Sequence, residues 1–220
     1  VQHRRRHTPH ADLQCRTGEI LDGSTLQVGV GRMPTAVLDA LAGHRSLTLR
    51  SGLFTAGCRR LVECGALAGV CTTAEIMGND ELFRWVDHNP AVRMVGARTS
   101  HGLAALLRLP NFVAINSALE VDETGAINSE RGDDGRVVSG PGGLPDFVAA
   151  ALATDDGRSI IALPSVSSDG SAPRIVSRLR GGHVTLPAYL ADRVCTEHGV
   201  ARLRGLSLDG RRRALREIAG

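Results

Sequence analysis

Residues 25–34 read Thr25-Leu26-Gln27-Val28-Gly29-Val30-Gly31-Arg32-Met33-Pro34. Thr25 to Val28 has the character of a short buried strand, and it breaks at the Gly29-Val30-Gly31 turn. Pro34 closes that turn, and Thr35 to Leu41 continues with helical spacing. A strand that passes through a glycine turn into a helix is the repeating unit of a parallel α/β sheet.

The same alternation extends outward in both directions. Upstream, a helix is expected from about Ala11 to Leu21, stopped by Asp22-Gly23. Downstream, Leu47 to Leu49 reads as a strand, followed by a loop through Ser51 and Gly52. From Gly57 onward, Cys58, Leu61, Val62 and Ala66 follow helical spacing. Further strand-like runs lie at Val70–Ile76, Val92–Val95, Phe112–Ile115 and Ile160–Leu163, with helical patterns at Asp80–Val86, Leu103–Leu107 and Phe147–Leu152. Short apolar strands alternating with amphipathic helices predict an α/β fold, a mostly parallel sheet flanked by helices on both faces. The polar stretches Glu123–Gly135 and Ser165–Pro173 read as surface loops, too short to divide domains. Residues 1–10 are expected to be a disordered basic lead-in, and 11–220 one domain.

The 220-residue length suits one well-cored domain, since a chain of this size buries roughly 70% of its unfolded surface. Aromatic residues make up only 3%, so the core must rest on Ala, Val, Leu and Ile. The net charge of +3 is mild and sits largely in Arg4–Arg6 and Arg211–Arg213, which read as solvated terminal charge. With one Trp and one Tyr there is no aromatic platform for nucleic acid. No apolar run approaches the ~20 residues of a membrane span. Cys15, Cys58, Cys64, Cys71 and Cys195 include no Cys-x-x-Cys pair, so zinc spacing is absent and buried reduced thiols of a cytoplasmic protein are expected. His3, His7 and His10 read as part of a polar tail rather than as a metal site.

Three backbone features point to chemistry. The turn at Gly29–Pro34 offers close main-chain approach and free N–H groups at a helix start, although a plain strand-to-helix connection has the same look. In Ser139-Gly140-Pro141-Gly142-Gly143-Leu144-Pro145-Asp146-Phe147, Pro145 and Asp146 suit the first turn of a helix. The glycines ahead of them form either an anion nest or a tight turn without a ligand. Finally, Ile115-Asn116-Ser117 ends a strand with an amide and a hydroxyl. These either face a ligand at the carboxyl edge of the sheet or make a local Asn/Ser turn.

Five ordered strings resemble one family: Asp22 to Gly31, Ala114 to Asp122, Ser139 to Phe147, Ile160 to Pro164, and Thr196 to Ala201. They are similar to the C-terminal domain of acetyl-CoA hydrolases and of 4-hydroxybutyrate and succinyl-CoA:acetate CoA-transferases, over residue 10 to the end. The resemblance implies a fold of the CoA-transferase type, in which two α/β domains face each other. It implies that acyl-CoA is the substrate, with a small carboxylate and without a metal. Gly29, Val30, Gly31, Arg32 and Met33 would form the loop beside the CoA, Asn116 and Leu119 would border the thioester, and Gly140, Gly142 and Gly143 would supply a second glycine wall. It also implies a separate N-terminal partner or a homo-oligomer, and neither nucleic acid nor membrane as partner.

The departures are equally specific. The family carries a nucleophilic Glu in a Ser-Glu-Met/Phe-x-x-Asp-Gly pattern, whereas this chain reads Ser51-Gly52-Leu53-Phe54-Thr55-Ala56-Gly57. Glycine has no side chain, so the covalent glutamyl-CoA route is closed at this position. No acidic residue lies between Arg45 and Arg60 to restore it, and Cys58, the nearest nucleophile in sequence, is expected inside a helix start. Leu144 replaces a Gln after the glycine wall, and Val184 to Asp192 replaces a Thr-Thr-Ser-Arg-Asn-Asp-like stretch. The expectation is an acyl-CoA-binding domain that hydrolyses the thioester with water if it is active. The alternative is a non-catalytic structural or regulatory remnant.

Overall fold

The computed structural model of the protein describes residues 18–220. In chain order the elements are β1 (Thr25–Val28), α1 (Arg32–Ala40), β2 (Thr48–Phe54), α2 (Ala56–Glu63), β3 (Cys71–Ile76), α3 (Asp80–Val86) and β4 (Val92–Met94). There follow α4 (Ala97–His101), α5 (Leu103–Leu106), β5 (Phe112–Ser117), β6 (Glu120–Asp122), β7 (Ile127–Asn128) and α6 (Leu144–Ala153). The last are β8 (Arg158–Ala162), β9 (Ile175–Val176), β10 (Arg193–Thr196), β11 (Gly199–Arg202) and α7 (Leu208–Arg216).

Eight strands form one sheet in the order β11-β10-β8-β5-β1-β2-β3-β4, parallel throughout except for the β10–β11 hairpin. A parallel sheet needs both faces covered, and β5 shows how this is done. Its Val113 and Ile115 join the core around β1, β2, α1 and α2, while Phe112 and Ala114 face the other way and pack with Phe147, Ala150 and Ala151 of α6. A third cluster, with Val121, Ile127, Ile175, Leu186, Val194, Leu203 and Leu215, unites the small β7-β6-β9 sheet with β10, β11 and α7.

The strand order places the site. From β1 the chain moves to β2, β3 and β4 on one side, then returns to β5 on the other. The adjacent carboxyl ends of β1 and β5 therefore form a topological switch point, where connections diverge and leave a crevice.

The alternation read from the sequence holds, with corrections. Of the helix expected over 11–21, residues 11–17 lie outside the described residues, and Gly18 and Glu19 form only a 3-10 turn. His3, His7, His10, Cys15 and Arg4–Arg6 also lie outside them. Ser51 and Gly52 are not in a loop: β2 runs on to Phe54, which pairs with Ile76. The buried Ser51 hydroxyl stitches this stretch to β1, accepting from Val28 N–H (3.2 Å) and donating to Val28 C=O (3.0 Å). The segment Glu123–Gly135 is not wholly surface, since Ala126, Ile127 and Asn128 are buried as β7 pairs with β6. Cys58, Cys71 and Cys195 are buried thiols, but Cys64 is exposed. Arg211 is not a purely solvated charge, because its Nη1 donates to Ala188 C=O at 2.6 Å. Among the described residues no helix is long and apolar enough to cross a membrane.

Candidate functional site

A cavity of about 560 Å³ opens at the switch point. That lies within the usual range for small-molecule sites. The turn after β1 contributes Gly29 and Val30, the end of β5 and its continuation contribute Asn116 to Leu119, and the turn before α6 contributes Ser139 to Gly143. Gly52, Leu53 and Glu75 arrive from the neighbouring strands β2 and β3. Two glycine turns far apart in sequence, Gly29–Val30 and Ser139–Gly143, thus share one wall.

Close packing explains both turns. A Cβ on Gly29 would lie 2.6 Å from Asn116 Oδ1, so the first turn needs glycine for the approach of β5. Gly31 has φ 122°, which an L side chain rarely adopts, and the Ser117 hydroxyl pins this turn by donating to Val30 C=O (3.2 Å). Gly142 adopts φ 52°, the left-handed region, and α6 then starts with Pro145 and Asp146 in its first turn. The Gly29 N–H is spent on Ile115 C=O at 2.8 Å. Among the described residues, the N–H groups of Val30, Gly31, Gly142 and Gly143 have no such acceptor. Free main-chain donors around a cavity favour an anionic or developing negative charge.

Asn116 does not stand alone. Its side chain and that of Gln27 form a reciprocal buried amide pair: Asn116 Nδ2 donates to Gln27 Oε1 at 2.9 Å, and Gln27 Nε2 donates to Asn116 Oδ1 at 3.2 Å. Sequence reading missed Gln27, although a polar residue in the middle of the fully buried strand Thr25–Val28 was the available signal.

His101 was also missed. It ends α4 and reaches the cavity beside Gly52 and Gly143. A Cβ on Gly52 would meet His101 Nε2 at 2.9 Å, and one on Gly143 would meet it at 2.7 Å. The ring packs on Phe147 with centroids 4.7 Å apart, and its Nδ1 lies 2.7 Å from Ser100 Oγ. Nothing in the pattern of Ala97 to Gly102 announces this placement.

The remaining expected residues divide. Leu119 lines the main cavity, whereas Gly31 and Arg32 border an adjoining one of about 430 Å³ that shares Gly29 and Val30. Met33 lines neither and packs instead against the core around α1. Cys58 is buried within α2, and burial pushes its thiol pKa up, away from the thiolate a nucleophile needs. Leu144 is buried at the head of α6 and forms part of the cavity wall.

Residues 78–220 match the family described as the acetyl-CoA hydrolase/transferase C-terminal domain. The chain belongs to that family. It is 34% identical to a succinyl-CoA:acetate/propanoyl-CoA:succinate CoA transferase of Fasciola hepatica, across 96% of this chain and 47% of that protein. It is 35% identical to a 4-hydroxybutyrate coenzyme A transferase of Clostridium kluyveri, across 91% of this chain and 48% of that protein. Among solved structures, RipA from Yersinia pestis superposes with a TM-score of 0.91 at 29% identity, covering all of this chain and 52% of that one. A 4-hydroxybutyrate CoA-transferase from Porphyromonas gingivalis gives 0.81 at 33% identity, covering 96% and 51%. The family member described here therefore spans about half the length of the relatives it matches, and the CoA-transferase type of fold is shared with them.

Proposed function

We propose that this chain is the acyl-CoA-binding C-terminal half of a CoA-transferase or acyl-CoA hydrolase, with the cavity at the switch point holding the thioester. The observation that carries this reading is the convergence of the two glycine turns and the Gln27–Asn116 pair on one cavity. In this reading Gly29, Val30, Gly31 and Arg32 lie along the CoA, and Asn116 and Leu119 border the thioester. Gly140, Gly142 and Gly143 form the opposite wall, and a small carboxylate is the other substrate. The relatives are about twice as long, which supports an N-terminal domain that completes the site. We place the protein in the cytoplasm.

Gly52 stands where the family's attacking carboxylate is expected. An acyl-enzyme anhydride cannot form on glycine, so the chemistry open to this chain is attack by water on a thioester whose carbonyl oxygen is held by main-chain N–H groups. Gly52 equally supports a second reading, a binding or regulatory subunit without turnover.

Calorimetric titration with CoA and acetyl-CoA tests the common part. Saturable binding is expected. Gly142→Pro, which forbids φ 52° and removes an N–H, should weaken binding at least tenfold. A chain that binds neither compound overturns both readings.

A further inference from the structure

We infer that His101 is the general base for thioester hydrolysis in this chain, occupying the space from which a side chain at position 52 would otherwise act. The inference rests on the acyl-CoA reading above and adds to it the group that activates water.

The placement is specific. His101 Nε2 lies 2.9 Å from the Cβ position of residue 52, and glycine at both 52 and 143 is what makes room for the ring. Gly52 itself lies within β2 and outside the left-handed region, so its backbone would accept any residue. The glycine there is required by the imidazole rather than by chain geometry.

A general base needs the Nδ1–H tautomer, and the hydrogen bonds around Ser100 accommodate it. Ser100 is fully buried, and its hydroxyl has a single proton to give. Ser100 Oγ donates to Ala97 C=O at 3.3 Å, a group that can only accept. With that proton on Ala97, the 2.7 Å contact with His101 Nδ1 is the imidazole donating to the hydroxyl. In this arrangement the proton sits on Nδ1, and Nε2 carries a lone pair at the cavity wall. Phe147 holds the ring from the side, and Ser100 acts as a positioning residue.

The step balances without any further reactant. Nε2 takes a proton from water as the water oxygen bonds to the thioester carbonyl carbon. The carbonyl oxygen becomes an oxyanion beside the free N–H groups of Gly142 and Gly143. Collapse breaks the carbon–sulfur bond, and the imidazolium returns its proton to the leaving thiolate. One water and one thioester give one carboxylic acid and one CoA thiol. The other ionisable groups lining the cavity are Glu75 from β3 and Asp146 from α6; Arg98 lies on α4 itself, and Arg50 lies on β2, which packs against α4.

The test measures CoA binding by calorimetry and acetyl-CoA hydrolysis by chromatographic quantitation of free CoA, since the exposed Cys64 would itself react with thiol reagents. Hydrolysis by the unaltered chain should fall about 100-fold or more in His101→Gln, the typical share of a positioned base. CoA affinity should stay within about threefold. The acid limb of the rate profile should disappear with the imidazole. In His101→Ala, added imidazole should restore part of the rate, which a purely structural role would not allow. Ser100→Ala should lower kcat while leaving KM near its original value. Binding of CoA with no hydrolysis above buffer overturns the inference and leaves the binding reading intact. Undiminished hydrolysis in a folded His101→Gln also overturns it. Absence of CoA binding removes the reading on which it rests, and the inference with it.

Discussion

His101 Nε2 and the α-carbon of Gly52 face each other so closely that a single added methyl at position 52 would sit 2.9 Å from the imidazole nitrogen. Gly52→Ala must therefore displace the ring, and overpacking of this kind costs about 1–3 kcal/mol. The same substitution in a His101→Ala background should cost markedly less, because the obstructing ring is gone. Urea unfolding of the two single variants and the double variant checks this, and strict additivity would show that the two residues do not touch.

The amide pair between β1 and β5 predicts a second coupling. Asn116→Ala leaves the buried Gln27 amide without its partner, a loss of about 1–3 kcal/mol. Replacing both with leucine should recover much of that stability while still abolishing CoA binding, because the amides leave the cavity together. Gly29→Ala should resemble Asn116→Ala, since its methyl would fall 2.6 Å from Asn116 Oδ1. Thermal melts alongside calorimetry separate the stability effect from the binding effect.

Much of this arrangement was legible in the sequence, and what was not has definite causes. Thr25–Val28 and Phe112–Ile115 are central strands buried on both faces, so they appear as short apolar runs bounded by turns. The glycine turns beside them were visible because glycine marks close approach and positive φ. The extension of β2 through Ser51 and Gly52 was hidden, since both are weak strand formers. It is held by the Ser51 hydroxyl on Val28 and by pairing with β3. The strands β6, β7 and β9 are two or three residues long and are defined by partners far away in sequence. His101 had no periodic signal at all, because its role comes from where α4 is docked against β2 and α6.

Acid should loosen the C-terminal edge of the sheet. Glu19 is buried, which by itself raises its pKa, yet hydrogen bonds and charge from Arg193 of β10 and Arg202 of β11 leave it lowered overall. A carboxylate with a lowered folded value contributes stability that is fully present above its ordinary value of 4.5. That contribution is lost as pH falls through the folded value. Glu19→Gln should therefore be less stable than the original chain at pH 7, by about 1–3 kcal/mol. The gap should close as pH is lowered toward 3. Urea midpoints measured across that range decide the point, and a gap that widens in acid would contradict the sign.

Phe147 links the core to the site, and its replacement should separate the two. The side chain is buried beneath the cavity, packed at a 43° tilt against the His101 ring on one side and 6.4 Å from the Phe112 ring centroid on the other. Phe147→Ala removes a fully enclosed ring from the cluster with Leu106, Ala114, Ala150 and Ala151, at a cost of about 3–5 kcal/mol. Phe147→Leu keeps most of the apolar volume and should cost less, but a leucine gives the imidazole no aromatic ring to pack against. His101 in the leucine variant should then react faster with diethylpyrocarbonate than in the original chain, at a temperature where both are fully folded. Equal reactivity would mean that Ser100 alone fixes the ring, and that the contact with Phe147 is incidental to the base.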